Sequence, residues 1–414
     1  MSSQTSLARR LSTTDAVHIG VGSMVGAGLF TAFAPAAAAA GALLLLALLV
    51  AAVVAFCNAT SSAQLAAQYP TSGGTYVYGR ERLGHWWGFI AGWGFVIGKT
   101  ASCAAMAMTF AAYVVPGAWQ RPVAIAAVIG LAAVNYHGVT RTARLARVLV
   151  AVILALLALT LVAVVAGTAP VHVGESGPVG WTGVTQAAAL LFFAFAGYAR
   201  IATMGEEVTD PRRTIPRAIV ISFAVVVPLY GITGWVLLDR LGAPALAATE
   251  APLRSAAETT PYAAWLGPVV IVAAAVAALG ALLSLIAGVG RTALAMARER
   301  DLPTPLARVH PKYAVPHVAE VALAAIVSLL VLVVDLREVI GFSSFGVLTY
   351  YAVANAAALT QSGRDRLYPR PLQVVGLVGC IVLASTVPTE SLIPGVAVLV
   401  AGMAGRAVVR RARG

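Results

Sequence analysis

The sequence is short of charge. Only 11% of its 414 residues are Asp, Glu, Lys or Arg, against about a quarter in an ordinary soluble domain, so the chain lacks the means to cover a water-facing surface. Cysteine is scarce too: Cys57, Cys103 and Cys380 stand far apart, each inside an apolar run. That spacing excludes a disulfide framework and a metal cluster and leaves three small packing residues. HExxH, GxSxG and phosphate-loop motifs are absent, and a membrane enzyme would need a nucleophile, a metal cluster or paired acids at one membrane face. The apolar runs do not alternate in short strands, which excludes a membrane barrel. No segment is long and polar enough for a separate soluble domain, so a sensor with an output domain does not fit.

Apolar residues fill this space, at 60% of the chain. A spanning helix takes about 20 of them, and polar punctuation divides the sequence into twelve candidate spans, near 16–38, 41–64, 86–114, 121–138, 147–167, 183–205, 217–238, 264–290, 318–334, 338–360, 371–387 and 392–409. The fold class expected is an all-α integral membrane protein embedded in a lipid bilayer. Lys and Arg number 28 against 16 Asp and Glu, a net charge of +12, which in a membrane protein reports topology and implies no nucleic acid. Sorted by side, 22 cations fall on the N-terminus, the even-numbered connections and the C-terminus. Four fall on the other side (Arg121, Arg240, Arg254, Arg337), and Lys99 and Arg200 lie within spans. Cations favour the cytoplasmic side, so both termini are expected there. The mixture of Arg and small residues suits a bacterial inner membrane. Arg9 and Arg10 before an apolar run also suit a signal peptide, but Gly22, Ser23, Gly26 and Gly28 interrupt that run and favour a retained first helix.

Two segments carry chemistry. The first span contains Gly22-Ser23-Met24-Val25-Gly26-Ala27-Gly28-Leu29-Phe30. Glycine weakens a helix, and an unwound membrane helix is tolerated only where it lines a polar cavity or a ligand; close packing through Gly22-xxx-Gly26 is the alternative. Its spacing is wrong for a dinucleotide fingerprint, and no strand precedes it. The sixth span offers Phe192-Phe193-Ala194-Phe195-Ala196-Gly197-Tyr198-Ala199-Arg200, in a helix that runs opposite to the first by the charge count. Two interrupted helices, one opening each half of the chain, point to an inverted-repeat transporter with a midplane site. Half-helix N-termini would offer free amides to a carboxylate. Carbonyls at the breaks would accept from an ammonium, and the pair suits an α-amino acid.

With these two segments, the loop Tyr69-Pro70-Thr71-Ser72-Gly73-Gly74-Thr75-Tyr76 and the run Glu206-Glu207-Val208-Thr209-Asp210-Pro211-Arg212-Arg213-Thr214-Ile215-Pro216-Arg217 make nearly the whole chain resemble the amino acid-polyamine-organocation (APC) superfamily of permeases. The resemblance implies a five-plus-five inverted repeat of the leucine-transporter type. The cytoplasmic N-terminus would then be 1–15, the first repeat 16–167, the second 183–360, two additional helices 371–409, and the cytoplasmic C-terminus 410–414. It also implies a carboxylate at the amides of Ala27 and Gly28, an amino group at carbonyls near Met24, Phe193 and Ala196, and an aromatic, Phe193 or Phe195, that occludes the site. Ser23, Gly26, Gly197 and Tyr198 complete the expected binding set. The chain departs from the family at Ala199, where many relatives are acidic, and in span five, where Val148 to Gly167 carries no lysine. Proton coupling through that lysine does not carry over.

Lys99 is expensive within a membrane unless it faces a cavity or a partner. Two readings stand: a coupling residue, as proton carrier or fixed charge, or a structural lysine bonded to carbonyls at a broken helix. Arg200 either touches substrate or pairs with Glu206 or Glu207. The Glu206–Arg217 cluster is an inner gate or a solvated loop, and Asp15 and His18 join that gate or cap the first helix. The Pro70–Tyr76 stretch reads as a turn, and Gly88, Gly92, Gly94 and Gly98 as packing notches. The other histidines have no metal spacing. No cofactor is expected. The function expected is secondary transport of amino acids by alternating access, as symporter with a proton or exchanger with a counter-substrate, with neutral substrates favoured by the two intramembrane cations. An acidic amino acid or other small amine is the alternative substrate. A channel is the alternative class, which two broken helices at a midplane describe less well.

Overall fold

Ser12 opens the first helix. Its hydroxyl accepts from the Asp15 amide at 3.2 Å, and the Asp15 carboxylate accepts from the Ser12 amide at 3.1 Å, a reciprocal cap that satisfies two orphan donors. In the computed structural model, which describes residues 11–70, 73–137, 143–167, 179–202, 204 and 208–411, this helix, α1 (Thr13–Met24), stops at Val25 and Gly26. It resumes as α2 (Ala27–Thr31) and α3 (Phe33–Ala40). Ala32 keeps helical geometry, and its amide reaches the Gly28 carbonyl at 3.0 Å, so α2 and α3 form one rod. Gly41, at φ 49°, reverses the chain into α4 (Leu44–Gln68).

There follow α5 (Gly74–Leu83), α6 (His85–Val114), α7 (Gln120–Tyr136), α8 (Ala143–Gly167), α9 (Trp181–Phe195), α10 (Ala199–Ala202), α11 (Pro211–Ala248) and α12 (Pro252–Glu258). The chain ends with α13 (Ala263–Arg298), α14 (His317–Val333), α15 (Leu336–Leu359), α16 (Arg370–Ser385) and α17 (Thr389–Arg411). Among the described residues nine helical segments are long and apolar enough to cross a membrane, and α14 and α16 are shorter apolar helices. No strand occurs there beyond a single bridge between Leu11 and Val208. This follows from the solvent: in hydrocarbon every backbone group must be satisfied within its own segment, and a helix does that.

The expected turn at Pro70–Tyr76 needs correction. Thr71 and Ser72 lie outside the described residues, and from Gly74, at φ 54°, the chain is already helical as α5. That helix forms because Tyr76 and Gly79 bury one of its faces on α6, and a hydropathy window is blind to so short a half-polar helix. The glycines of α6 are packing notches, as expected. Gly94 meets the Gly346 carbonyl of α15, and Gly98 meets the backbone of Ser343 and Val347. All three cysteines are free and buried.

Side-chain contacts gather the element ends into two groups. Arg147 of α8 pairs with Asp15 of α1 at 3.4 Å, Arg212 of α11 with Asp365 at 2.9 Å, and Arg80 of α5 with Glu299 at the end of α13 at 2.8 Å. These ends form the arginine-rich face. At the opposite end Arg121 pairs with Asp335, and Arg254 donates to the Tyr113 carbonyl.

Candidate functional site at the paired helix breaks

The first break is built by backbone geometry. The Val25 amide still reaches the Val21 carbonyl at 2.7 Å, but Gly26 is extended and its amide folds back to the Met24 carbonyl. No side chain caps Gly26. Ala27 and Gly28 therefore present the leading amides of the α2–α3 rod, which have no carbonyl one turn earlier to reach, and the rod's dipole adds partial positive charge there.

The second break differs from expectation. Phe195 ends α9, and Ala196–Tyr198 tighten into a 3-10 turn before α10, so the chain is overwound here and not unwound. Gly197 is needed for proximity: a Cβ placed on it would lie 2.1 Å from the Ser23 carbonyl oxygen and 2.6 Å from the Met24 nitrogen. The same crossing continues in both directions. Gly20 faces Ile201, a Cβ on Gly28 would lie 2.4 Å from the Ala194 Cα, and Gly183 faces the Ala39 carbonyl. Partners fall in one chain as they rise in the other, so α1–α3 and α9–α10 lie antiparallel in contact, with their breaks side by side.

Polar side chains hold the freed carbonyls. The Tyr230 hydroxyl, from α11, lies 2.7 Å from the Met24 carbonyl and 3.0 Å from that of Ala194, one group spanning both breaks. Lys99 is buried in α6, and its Nζ donates to the Ala196 carbonyl at 3.1 Å. The structural-lysine geometry is thus present, and a coupling role is compatible with it. A Cβ on Gly26 would face Ala281 of α13 at 3.1 Å and the Met106 methyl of α6 at 3.7 Å, so the wall opposite the break is apolar.

The other expected residues scatter around this centre. The Ser23 hydroxyl donates to the Ile19 carbonyl within its own helix. Phe193 is buried, whereas Phe195 stacks on Phe223 with ring centroids 6.1 Å apart and Tyr198 stacks on Tyr351 at 4.9 Å. Arg200 is half-buried on α10, and its expected partners Glu206 and Glu207 lie outside the described residues. Asp15 and His18 sit at the arginine-rich end. Burial works against the Asp15 charge, but Ser12 and Arg147 together hold its carboxyl below the usual range, and His18 Nδ1 lies 2.7 Å from the Thr14 carbonyl. Among the described residues no group of three His, Cys, Asp or Glu converges as a metal site. Sequence reasoning missed Tyr230, Met106 and Ala281. Only Tyr230 carried a signal, a hydroxyl in an apolar run that must find a partner when buried.

A cavity of about 610 Å³ opens at the end opposite the arginine-rich face. Arg121, Glu250, Asp335 and Arg337 line it with Met108 and Thr31, the last one turn beyond Gly28. At the arginine-rich end the chain is drawn together by the Leu11–Val208 bridge and by the Thr209 amide, which donates to the Leu11 carbonyl at 3.0 Å.

Among the described residues this is a multi-helix membrane protein in which two broken helices lie side by side. Residues 11–407 match the amino acid permease family, and the chain belongs to that family. It is 56% identical to an uncharacterised transporter of Mycobacterium tuberculosis, over 98% of this chain and 93% of the relative. It is 26% identical to a branched-chain amino acid permease of Bacillus subtilis, over 91% of this chain and 86% of that one. A human cationic amino acid transporter is 30% identical over 84% of this chain and 59% of its own length. These relatives are transporters and not enzymes, and the chain is a multi-pass membrane protein of that kind.

Proposed function

We propose that this chain is a secondary active transporter of neutral amino acids that works by alternating access in the cytoplasmic membrane, with both termini inside. The observation that carries the reading is the antiparallel contact of two interrupted helices, with leading amides at Ala27 and Gly28 on one and Tyr230 joining the Met24 and Ala194 carbonyls across the breaks. The amides take the substrate carboxylate and the carbonyls of Met24 and Phe193 its ammonium, that of Ala196 being held by Lys99. Phe193 or Phe195 closes over the bound molecule, and Ser23, Gly26, Gly197 and Tyr198 shape the break. The spans are twelve, arranged as inverted repeats over 16–167 and 183–360, with 371–409 added. The cavity ending at Thr31 is the outer approach, and the sealed arginine-rich end, with Asp15, His18, Arg200, Glu206 and Glu207, is the inner gate.

Side-chain preference follows from charge and shape. The Lys99 ammonium lies against the second break, where a cationic substrate would meet like charge, and Met106 and Ala281 offer an apolar wall. This favours a neutral, apolar side chain, as the name of the Bacillus relative suggests, over the cationic ones of the human relative's name. Lys99 is the coupling residue, as proton carrier or as fixed charge. Counterflow in proteoliposomes tests the reading. Unlabelled leucine, isoleucine or valine inside the vesicles should accelerate uptake of the labelled amino acid several-fold, whereas arginine and lysine should not. Equal uptake with and without internal substrate would mean a channel, and acceleration by arginine alone would overturn the side-chain assignment.

A further inference from the structure

Helix α17 is almost unburied, yet it carries a deeply buried charge. Of its described residues only Ser391, Gly395 and Arg406 are buried, and the Arg406 side chain is 2% exposed. An arginine in such a place is costly unless it is paired, and this one is paired with a carboxylate. Its Nε donates to Asp301 Oδ1 at 2.8 Å, its second terminal nitrogen lies 2.7 Å from the same oxygen, and the first donates to the His85 carbonyl at 2.9 Å. The guanidinium also lies 4.7 Å from the Trp86 and Phe89 ring centroids.

Asp301 passes this contact on. Its other oxygen accepts from the Tyr76 hydroxyl at 2.9 Å, that hydroxyl accepts from Arg80 at 2.9 Å, and Arg80 pairs with Glu299. Tyr76 and Arg80 are one turn apart on α5. Asp301 is itself placed by an unusual cap: Arg300 sits at φ 60°, a region favoured by glycine, and the Asp301 amide reaches back to the Met296 carbonyl at 2.8 Å. A long side chain held in the left-handed region marks a position fixed by its surroundings. Tyr76, Phe89 and Met296 also form a small apolar cluster apart from the main core, so the side of α5 that meets the end of α13 is held by this cluster and by the carboxylate of Asp301, whereas Tyr78 packs into the main core.

We propose that Arg406 is a positioning residue for transport: through Asp301 it clamps α5 against the end of α13, and the last helix thereby sets how readily the arginine-rich end opens. The inference rests on the proposed alternating access, in which this end is the closed inner side, but its test needs no substrate. Thr75 is fully buried on α5 beside Tyr76, and Cys57, Cys103 and Cys380 are buried elsewhere. In the full-length protein carrying Thr75→Cys, the rate of modification by a small water-soluble maleimide reports exposure of the α5 contact. Arg406→Lys keeps the charge but loses the fork that engages Asp301 and His85 together, and Tyr76→Phe removes only the hydroxyl between Asp301 and Arg80.

Each should raise the Thr75→Cys modification rate at least fivefold. The same variants without Thr75→Cys should stay unreactive, which separates local opening from unfolding. Apolar replacement of the pair, Arg406→Met with Asp301→Leu, removes the buried charges together, keeps the protein folded and should give a similar rise. In transport, the three variants should change the maximal counterflow rate and leave substrate affinity within twofold. Modification rates within twofold of the parent in Arg406→Lys and Tyr76→Phe would overturn the clamp. Failure of all amino acids to bind would overturn the proposed function and leave the labelling result standing on its own.

Discussion

At the scale of single residues, two kinds of group meet at the breaks: glycines that permit contact and polar groups that hold freed carbonyls. Gly197 permits the closest approach. Gly197→Ala puts a methyl 2.1 Å from the Ser23 carbonyl oxygen, which forces the crossing apart and costs about 1–3 kcal/mol. It should abolish transport and lower the melting temperature, whereas Gly231→Ala in α11, with nothing within 4 Å of the new methyl, should leave both unchanged or slightly improved. A thermal melt in detergent beside vesicle uptake checks the pair. Lys99 is the polar counterpart. With Lys99→Ala, the Ala196 carbonyl loses its donor and the membrane loses a charge, so concentrative uptake and its pH dependence should fall together while counterflow persists. Full uptake with an unaltered pH profile would remove Lys99 from coupling. Gly26 and Gly197 could both be picked from the sequence, but the work each does could not. Gly26 takes an extended backbone and Gly197 a tight contact, a difference set by which neighbour presses on the helix.

At the scale of elements, α6 and α15 show how small residues bring rods together. Gly94 and Gly98 on one face Gly346 on the other so closely that a methyl on Gly346 would lie 2.7 Å from the Gly94 carbonyl oxygen and from the Gly98 Cα. The Ser102 and Ser343 hydroxyls bond across the same seam at 2.7 Å. Close backbone approach supplies dispersion where no hydrophobic force acts between membrane helices. Gly346→Ala should therefore destabilise the protein by several degrees and slow transport, with a smaller effect for Ser343→Ala, whose hydroxyl contributes about 1 kcal/mol; melts of the two variants compare them. The glycine row of α6 was visible in the sequence as a notched face. Its partner was not, because one chain's spacing does not say which other helix fills the notch. Helix α5 escaped for a different reason. Ten residues with a buried Tyr76 and an exposed Glu81 give no apolar run, and only packing on α6 makes them a helix.

At the scale of the whole molecule, the distribution of cations and the contacts among helix ends agree. The ends that pair through Asp15–Arg147, Arg80–Glu299 and Arg212–Asp365 are those to which the charge count assigns most of the arginines. Orientation in the membrane is open to direct test. In intact spheroplasts an impermeant maleimide should modify Trp119→Cys, an exposed position at the opposite end, and should reach Arg411→Cys only after permeabilisation. The reverse pattern would invert the proposed topology and exchange the inner and outer assignments of the sealed end and the cavity.

The amino acids alone determined that the chain lives in lipid, that it is helical and where most of its spans fall, because hydrocarbon leaves no other way to satisfy a backbone and because apolar length is countable along a line. They also marked Gly26, Gly197 and Lys99. Only the tertiary structure decided that the second break is overwound, that Tyr230 spans both breaks, that Met106 and Ala281 face Gly26, and that Arg406 reaches Asp301 across 105 residues. Those are contacts between segments remote in sequence, fixed by how the rods cross, and periodicity within one rod carries no information about its neighbour.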